Sequence, residues 1–181
     1  MRFNIFNFFI LAALGVVLGG CSTTTLSPKS SFTVPSIIND RKIMSQMTDK
    51  ATEMMDSDSV VSIQTLIAKL KTEPKIKLNL SNSNLTSLSE AQKAIAVVGG
   101  VYKCNRCTLW HIAPASGFFI ADDLVVTNYH VVDQPERSGL AVRLFDGRVF
   151  MVEDVIAASE RFDLAVLRVP KTGIKPISLG Q

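Results

Sequence analysis

The chain has 181 residues, 47% of them hydrophobic, which is enough for one modest domain once about twenty leading residues are set aside. Its formal charge of +3 falls by one if Arg2 leaves with a signal peptide, and its lysines and arginines are scattered. No basic arm is present, which argues against a nucleic-acid partner.

Residues 1–20 read as a signal peptide. Arg2 supplies a positive n-region, Phe3 to Leu18 an apolar h-region, and Leu18-Gly19-Gly20-Cys21 a small-residue cleavage site ending in cysteine. Asn4 and Asn7 interrupt the run, which is shorter than the about 20 apolar residues of a spanning helix. The Leu-Gly-Gly-Cys run resembles a bacterial lipobox. That resemblance implies lipid attachment at Cys21 and membrane contact through the anchor, since several acyl chains hold far more firmly than one. Ser22, rather than aspartate, follows the cysteine, which resembles an outer-membrane lipoprotein. The expected location is therefore the cell envelope, lipid-anchored, at the outer membrane facing the periplasm rather than at the inner membrane.

Residues 21–36, rich in Ser, Thr and Pro, bury too little apolar surface to order themselves and read as a flexible tether. Region 37–90 is expected to be helical. Ile43, Met44, Met47, Ala51, Met54 and Met55 recur at helical spacing behind the possible caps Asn39 and Asp40, predicting a helix over about 40–56. A second helix, about 59–71, carries Ile63, Leu66, Ile67 and Leu70 on one face and stops before Pro74. Both stripes are expected to pack on the rest of the domain rather than on a partner. Lys75 to Leu80 alternate like a half-buried strand, and Ser81 to Asn84 form a polar turn. Ser87-Leu88-Ser89-Glu90 has the spacing of a capping box and predicts a short helix leading into Ala94 to Val98.

From about 91 to 181 the pattern is short strands punctuated by turns, as in an antiparallel barrel or sandwich. Asp122-Asp123 separates two apolar runs and predicts a hairpin, with His130 just past its second strand. Asp146-Gly147 predicts a second hairpin, of type I′, between Ala141 to Phe145 and a strand from Arg148 to Val155. Asp163 opens the apolar run Leu164-Ala165-Val166-Leu167. A neighbouring strand could thus carry its carboxylate to the imidazole, giving two thirds of a nucleophilic triad.

Ser116-Gly117-Phe118 through Thr127-Asn128-Tyr129-His130-Val131-Val132, then Asp146-Gly147-Arg148, Asp163-Leu164-Ala165-Val166-Leu167-Arg168-Val169 and Leu179-Gly180, resemble trypsin-like serine peptidases of the HtrA/Deg type. The resemblance covers roughly 94–181. It implies a mainly β fold, the first antiparallel barrel of a chymotrypsin/trypsin-like pair, behind an α-helical N-terminal extension. His130 would then be the general base, and Asp163 the group that orients it and stabilises the imidazolium. Asp122, Asp123, Asp133, Asp146 and Asp154 compete for that second role; the strand following Asp163 decides for it.

In that family the nucleophile lies in a Gly-x-Ser-Gly-Gly context in a second barrel. The adjacent glycine pairs here are Gly19-Gly20 and Gly99-Gly100, neither preceded by serine. The expected function is a serine-type endopeptidase acting on protein or peptide substrates in envelope quality control or processing, without a cofactor and catalytically incomplete over these residues. The rival is a non-catalytic envelope lipoprotein that keeps half the fold for binding.

Cys104-Asn105-Arg106-Cys107, with His111 four residues on, admits a disulfide, a structural zinc site or a redox pair. In an extracytoplasmic protein the expectation is a Cys104–Cys107 disulfide and no metal, because structural zinc takes four ligands and the other histidine, His130, already has a role. His111, beside Trp110, is expected to be packing or surface.

Overall fold

The computed structural model describes residues 39–57, 60–72 and 87–177. The signal peptide, Cys21, the tether, the strand at 75–80, its polar turn and Leu179-Gly180 lie outside the described residues.

Helix α1, Asp40–Met55, starts where Asn39 accepts a hydrogen bond from the Lys42 N–H at 3.0 Å, satisfying one of the free donors of its first turn. Helix α2, Ile63–Leu70, is shorter than predicted. Its cap is Ser62, which accepts from the Thr65 N–H, and it ends at Lys71, ahead of Pro74. Helix α3, Leu88–Lys93, is capped by Ser87 accepting from the Glu90 N–H at 3.2 Å, the expected half of a capping box.

Seven strands follow: β1 Ile95–Lys103, β2 Trp110–Ala121, β3 Leu124–Thr127, β4 Gly139–Arg143, β5 Val149–Met151, β6 Asp154–Ser159 and β7 Leu164–Arg168. They form one antiparallel sheet in the order β5-β4-β1-β2-β3-β7-β6. A one-turn helix, α4 Tyr129–Val132, interrupts the strands after β3.

The predicted strand from Arg148 to Val155 is instead split between β5 and β6. At the break, the Val152 N–H donates to Leu140 O of β4 while the Glu153 N–H donates to Arg168 O of β7, both at 2.9 Å. Consecutive residues thus bond to opposite ends of the strand order, so the sheet must curl until those ends meet. The fold is mainly β, a curled antiparallel sheet.

The Asp122-Asp123 hairpin is present as the β2–β3 connection. The Asp146-Gly147 turn differs from the predicted two-residue type I′. Asp146 keeps a negative φ while Gly147 takes +93°, the Gly147 N–H donates to Leu144 O, and the Leu144 N–H donates to Arg148 O. That is a three-residue loop, a type I turn closed by a left-handed glycine.

Strand alternation sorts the apolar side chains onto two faces. Inside the curl, Ala96, Val98, Phe119, Val125, Leu140, Val142, Ala165 and Leu167 pack with Ile63, Leu66 and Leu70 of α2 and with Tyr129 and Val132 of α4. On the outer face, Met47 and Ala51 of α1 pack on Val101, Ala141 and Val149. The methionine stripe therefore covers the sheet, as expected. Gly99 permits this approach: a Cβ there would lie 2.4 Å from Ile112 Cγ2 and 2.9 Å from Met47 Cε.

Candidate active site

β3 ends at Thr127, whose hydroxyl donates to Ser116 O of β2 at 2.9 Å. The chain then turns into α4, with Asn128 at its N-cap position and Tyr129 and Val132 buried. These two anchors hold the short helix against the core, leaving His130, between them in sequence, exposed. Burial pushes the Tyr129 phenol upward, with Asp133 and Glu160 adding to the shift.

Asp163 reaches His130 from the β6–β7 turn, which closes with the Asp163 N–H donating to Glu160 O at 3.0 Å. Asp163 sits in the left-handed region at φ +51°, the one described non-glycine residue to do so. Aspartate tolerates that region better than most residues, and here it aims the carboxylate at α4.

His130 Nδ1 lies 2.8 Å from Asp163 Oδ2 and 3.0 Å from Oδ1. The His130 backbone N–H donates to Oδ1 at 3.0 Å, so the same carboxylate serves a free donor in the first turn of α4. Asn128 caps nothing in its own helix. Its Nδ2 donates to Asp163 O and Oδ2, each at 3.1 Å.

The His130 backbone N–H, followed by the imidazole itself and Asn128, holds the Asp163 carboxyl below its ordinary pKa. An ionised carboxylate can only accept, so the neutral imidazole carries its hydrogen on Nδ1. The Nε2 lone pair, on the far side of the ring, is left available as a base. Among the described residues no hydroxyl or thiol hydrogen-bonds to His130.

The competing aspartates have other engagements. Asp122 accepts from the Thr172 and Gly173 N–H groups, Asp123 faces Arg168, Asp146 pairs with Arg148, and Asp154 pairs with Lys69. Asp133 is the C-cap of α4. Sequence reasoning gave Asn128 no role, although an asparagine immediately before a one-turn helix is a polar side chain placed at a strand end.

The Cys104 and Cys107 sulfurs, the expected disulfide pair, lie 2.7 Å apart, against about 2.05 Å for a sulfur–sulfur bond. His111 is more than packing: its Nε2 lies 2.9 Å from Cys107 Sγ.

Residues 115–181 match the family model described as Trypsin-like peptidase domain. A mitochondrial serine protease HTRA2 of Drosophila pseudoobscura pseudoobscura is 42% identical over 69 residues, covering 36% of this chain and 16% of that protein. The anti-sigma-I factor RsgI9 of Acetivibrio thermocellus is 33% identical over 72 residues, covering 38% of this chain and 10% of its own length. The chain thus spans less than a fifth of the curated relatives it matches. Among solved structures, an HtrA-type protease AlgW with decapeptide aligns at a TM-score of 0.44 and 19% identity, over 52% of this chain and 35% of that one. The chain is similar to trypsin-like, HtrA-type serine proteases over its strand-rich part.

Proposed function

We propose that the chain carries the acid–base half of a trypsin-like serine endopeptidase acting on protein or peptide substrates in the cell envelope, anchored through lipid on Cys21. The observation that carries the catalytic part is the His130–Asp163 contact, made from two separate turns and locked by Asn128.

In this reading His130 Nε2 takes the proton of an attacking serine hydroxyl and returns it to the leaving amine. Asp163 stays ionised, fixes the tautomer and offsets the imidazolium charge. The serine and the oxyanion-hole donors are supplied by residues other than those described, because a base alone offers only a weak route through water. The similarity over residues 115–181 supports the reaction class.

The test is fluorophosphonate labelling alongside hydrolysis of an unfolded protein. The 181 residues alone should neither label nor hydrolyse, whereas a form continued through a Gly-x-Ser-Gly-Gly segment should do both, and His130→Ala should abolish both. Labelling of a serine within the 181 residues, lost in His130→Ala, would overturn the assignment of the missing nucleophile. A continued form that labels equally with and without His130 would overturn the role of the base. The anchor is tested separately: fatty-acid label incorporated equally by the parent and Cys21→Ser would refute it.

A further inference from the structure

Residues 102–111 form the tip of the β1–β2 hairpin. Tyr102 and Lys103 pair with His111 and Trp110, beyond the stretch Val97 to Val101 that also pairs with β4. A two-stranded extension has little stability of its own and profits from a cross-link. At this tip Cys104 Sγ, Cys107 Sγ and a His111 ring nitrogen all lie within 4.8 Å of one another.

We propose that Cys104, Cys107 and His111 form a metal site taking one thiophilic divalent cation, zinc above all, through two thiolate sulfurs and imidazole Nε2. Four features of the tip favour a cation over a sulfur–sulfur bond.

The first is the donor set. A Cys-x2-Cys pair with a histidine four residues on is a soft sulfur and nitrogen combination that selects zinc over magnesium or calcium. The second is the position of His111. A disulfide would give Nε2 nothing to do, yet it points at Cys107 Sγ from 2.9 Å while its ring lies against Tyr102 at 5.5 Å between centroids.

The third is the backbone. The Cys107 N–H donates to Cys104 Sγ at 3.1 Å. An amide donor on sulfur stabilises a thiolate and orients it as a ligand. The fourth is charge. Lys103 and Arg106 flank the sulfurs in sequence and ease the approach of two negative charges, and two thiolates with a neutral imidazole balance a divalent cation.

Binding one cation displaces the two thiol protons and breaks no other bond. Three protein ligands leave the fourth tetrahedral position to water or to a donor from another molecule.

The experiment uses the full chain, reduced and kept anaerobic, with cobalt(II) as the probe and zinc as the competitor. The expected result is one cobalt per chain, with a thiolate-to-cobalt charge-transfer band and the intense visible bands of tetrahedral coordination. Zinc should bleach both and should protect Cys104 and Cys107 from alkylation. Cys107→Ser should lose the charge-transfer intensity, His111→Ala should weaken binding by at least about tenfold, and Cys21→Ser should change nothing. Circular dichroism of each variant separates loss of metal from loss of fold.

Two reactive thiols that give no charge-transfer band would overturn the site. So would a Cys104–Cys107 bond that survives the reductant, which would establish the disulfide instead, or a cobalt spectrum unchanged in Cys107→Ser.

Discussion

Asp163→Asn isolates what the carboxylate does, because asparagine keeps the size of the side chain and tolerates the left-handed φ of +51° at this turn. The carboxylate has two oxygens for three donors: the His130 backbone N–H at 3.0 Å, His130 Nδ1 at 2.8 Å, and Asn128 Nδ2 at 3.1 Å. The asparagine amide has one oxygen. The backbone N–H cannot turn away and claims it, which places the new NH2 group where Oδ2 now faces Nδ1. The imidazole must then accept at Nδ1 and carry its hydrogen on Nε2, the wrong tautomer for taking a serine proton. In a form that contains the nucleophile, kcat should fall by about 10⁴-fold with little change in the fold, as expected when a triad aspartate becomes an amide. In the 181-residue chain the tautomer can be read directly by nitrogen-15 NMR of the imidazole at alkaline pH. The parent should show hydrogen on Nδ1 and the variant hydrogen on Nε2. A parent that already carries hydrogen on Nε2, or two spectra that agree, would refute the role of Asp163 in fixing the tautomer.

Two further outcomes follow from packing and charge. The Asp163 carboxyl is held low chiefly by the His130 backbone N–H, and that of Asp146 chiefly by the Arg148 side chain. Both contribute fully above the unfolded aspartate pKa of about 3.9 and lose that contribution as pH falls through their lower folded values. Denaturant midpoints should therefore drop on the acid side, less steeply in Asp163→Asn, and an identical acid limb in the variant would contradict this. Met47→Ala, at a fully buried position where α1 meets Gly99, should cost about 2–5 kcal/mol in urea unfolding. A change below about 0.5 kcal/mol, the scale of a neutral surface substitution, would mean that α1 is not part of the cooperative unit.

What the sequence showed most plainly was what depends on side-chain period and on turn residues. The β2–β3 hairpin, the α1 stripe and the placement of His130 and Asp163 at strand ends were all legible because alternation and helical spacing are local. The split of residues 148–155 into β5 and β6 was not, since both strands alternate alike and only the change of partner at Val152 and Glu153 separates them. The Asp146-Gly147 loop was misjudged for a related reason: the dipeptide suits more than one turn, and the φ of Asp146 depends on how the flanking strands meet. Asn128 was overlooked because its partner lies 35 residues away. The cysteine spacing pointed to a disulfide and gave His111 no part in it, because the folding over of the β1–β2 tip that brings its ring to Cys107 is not a local pattern.

The geometry of the His130–Asp163 pair is itself a consequence of hydrophobic patterning. Val125 pairs with Leu167 and Thr127 with Ala165 across β3 and β7, and Val125, Leu167 and Ala165 all point into the main core. Continuing that register sets Asn128 opposite Leu164, with Asp163 one residue beyond, where it meets the first turn of α4. A slip of one residue would turn the buried set outward, so the core permits only this register. Once the register is set, the two turns that carry the imidazole and the carboxylate have a fixed separation. Asn128 and the His130 backbone N–H then complete a pair that the strands have already aligned. Alignment of the imidazole therefore rests on the apolar residues of β3 and β7 as much as on the polar groups that touch it, and substitutions such as Leu167→Ala should loosen the pair as well as the core.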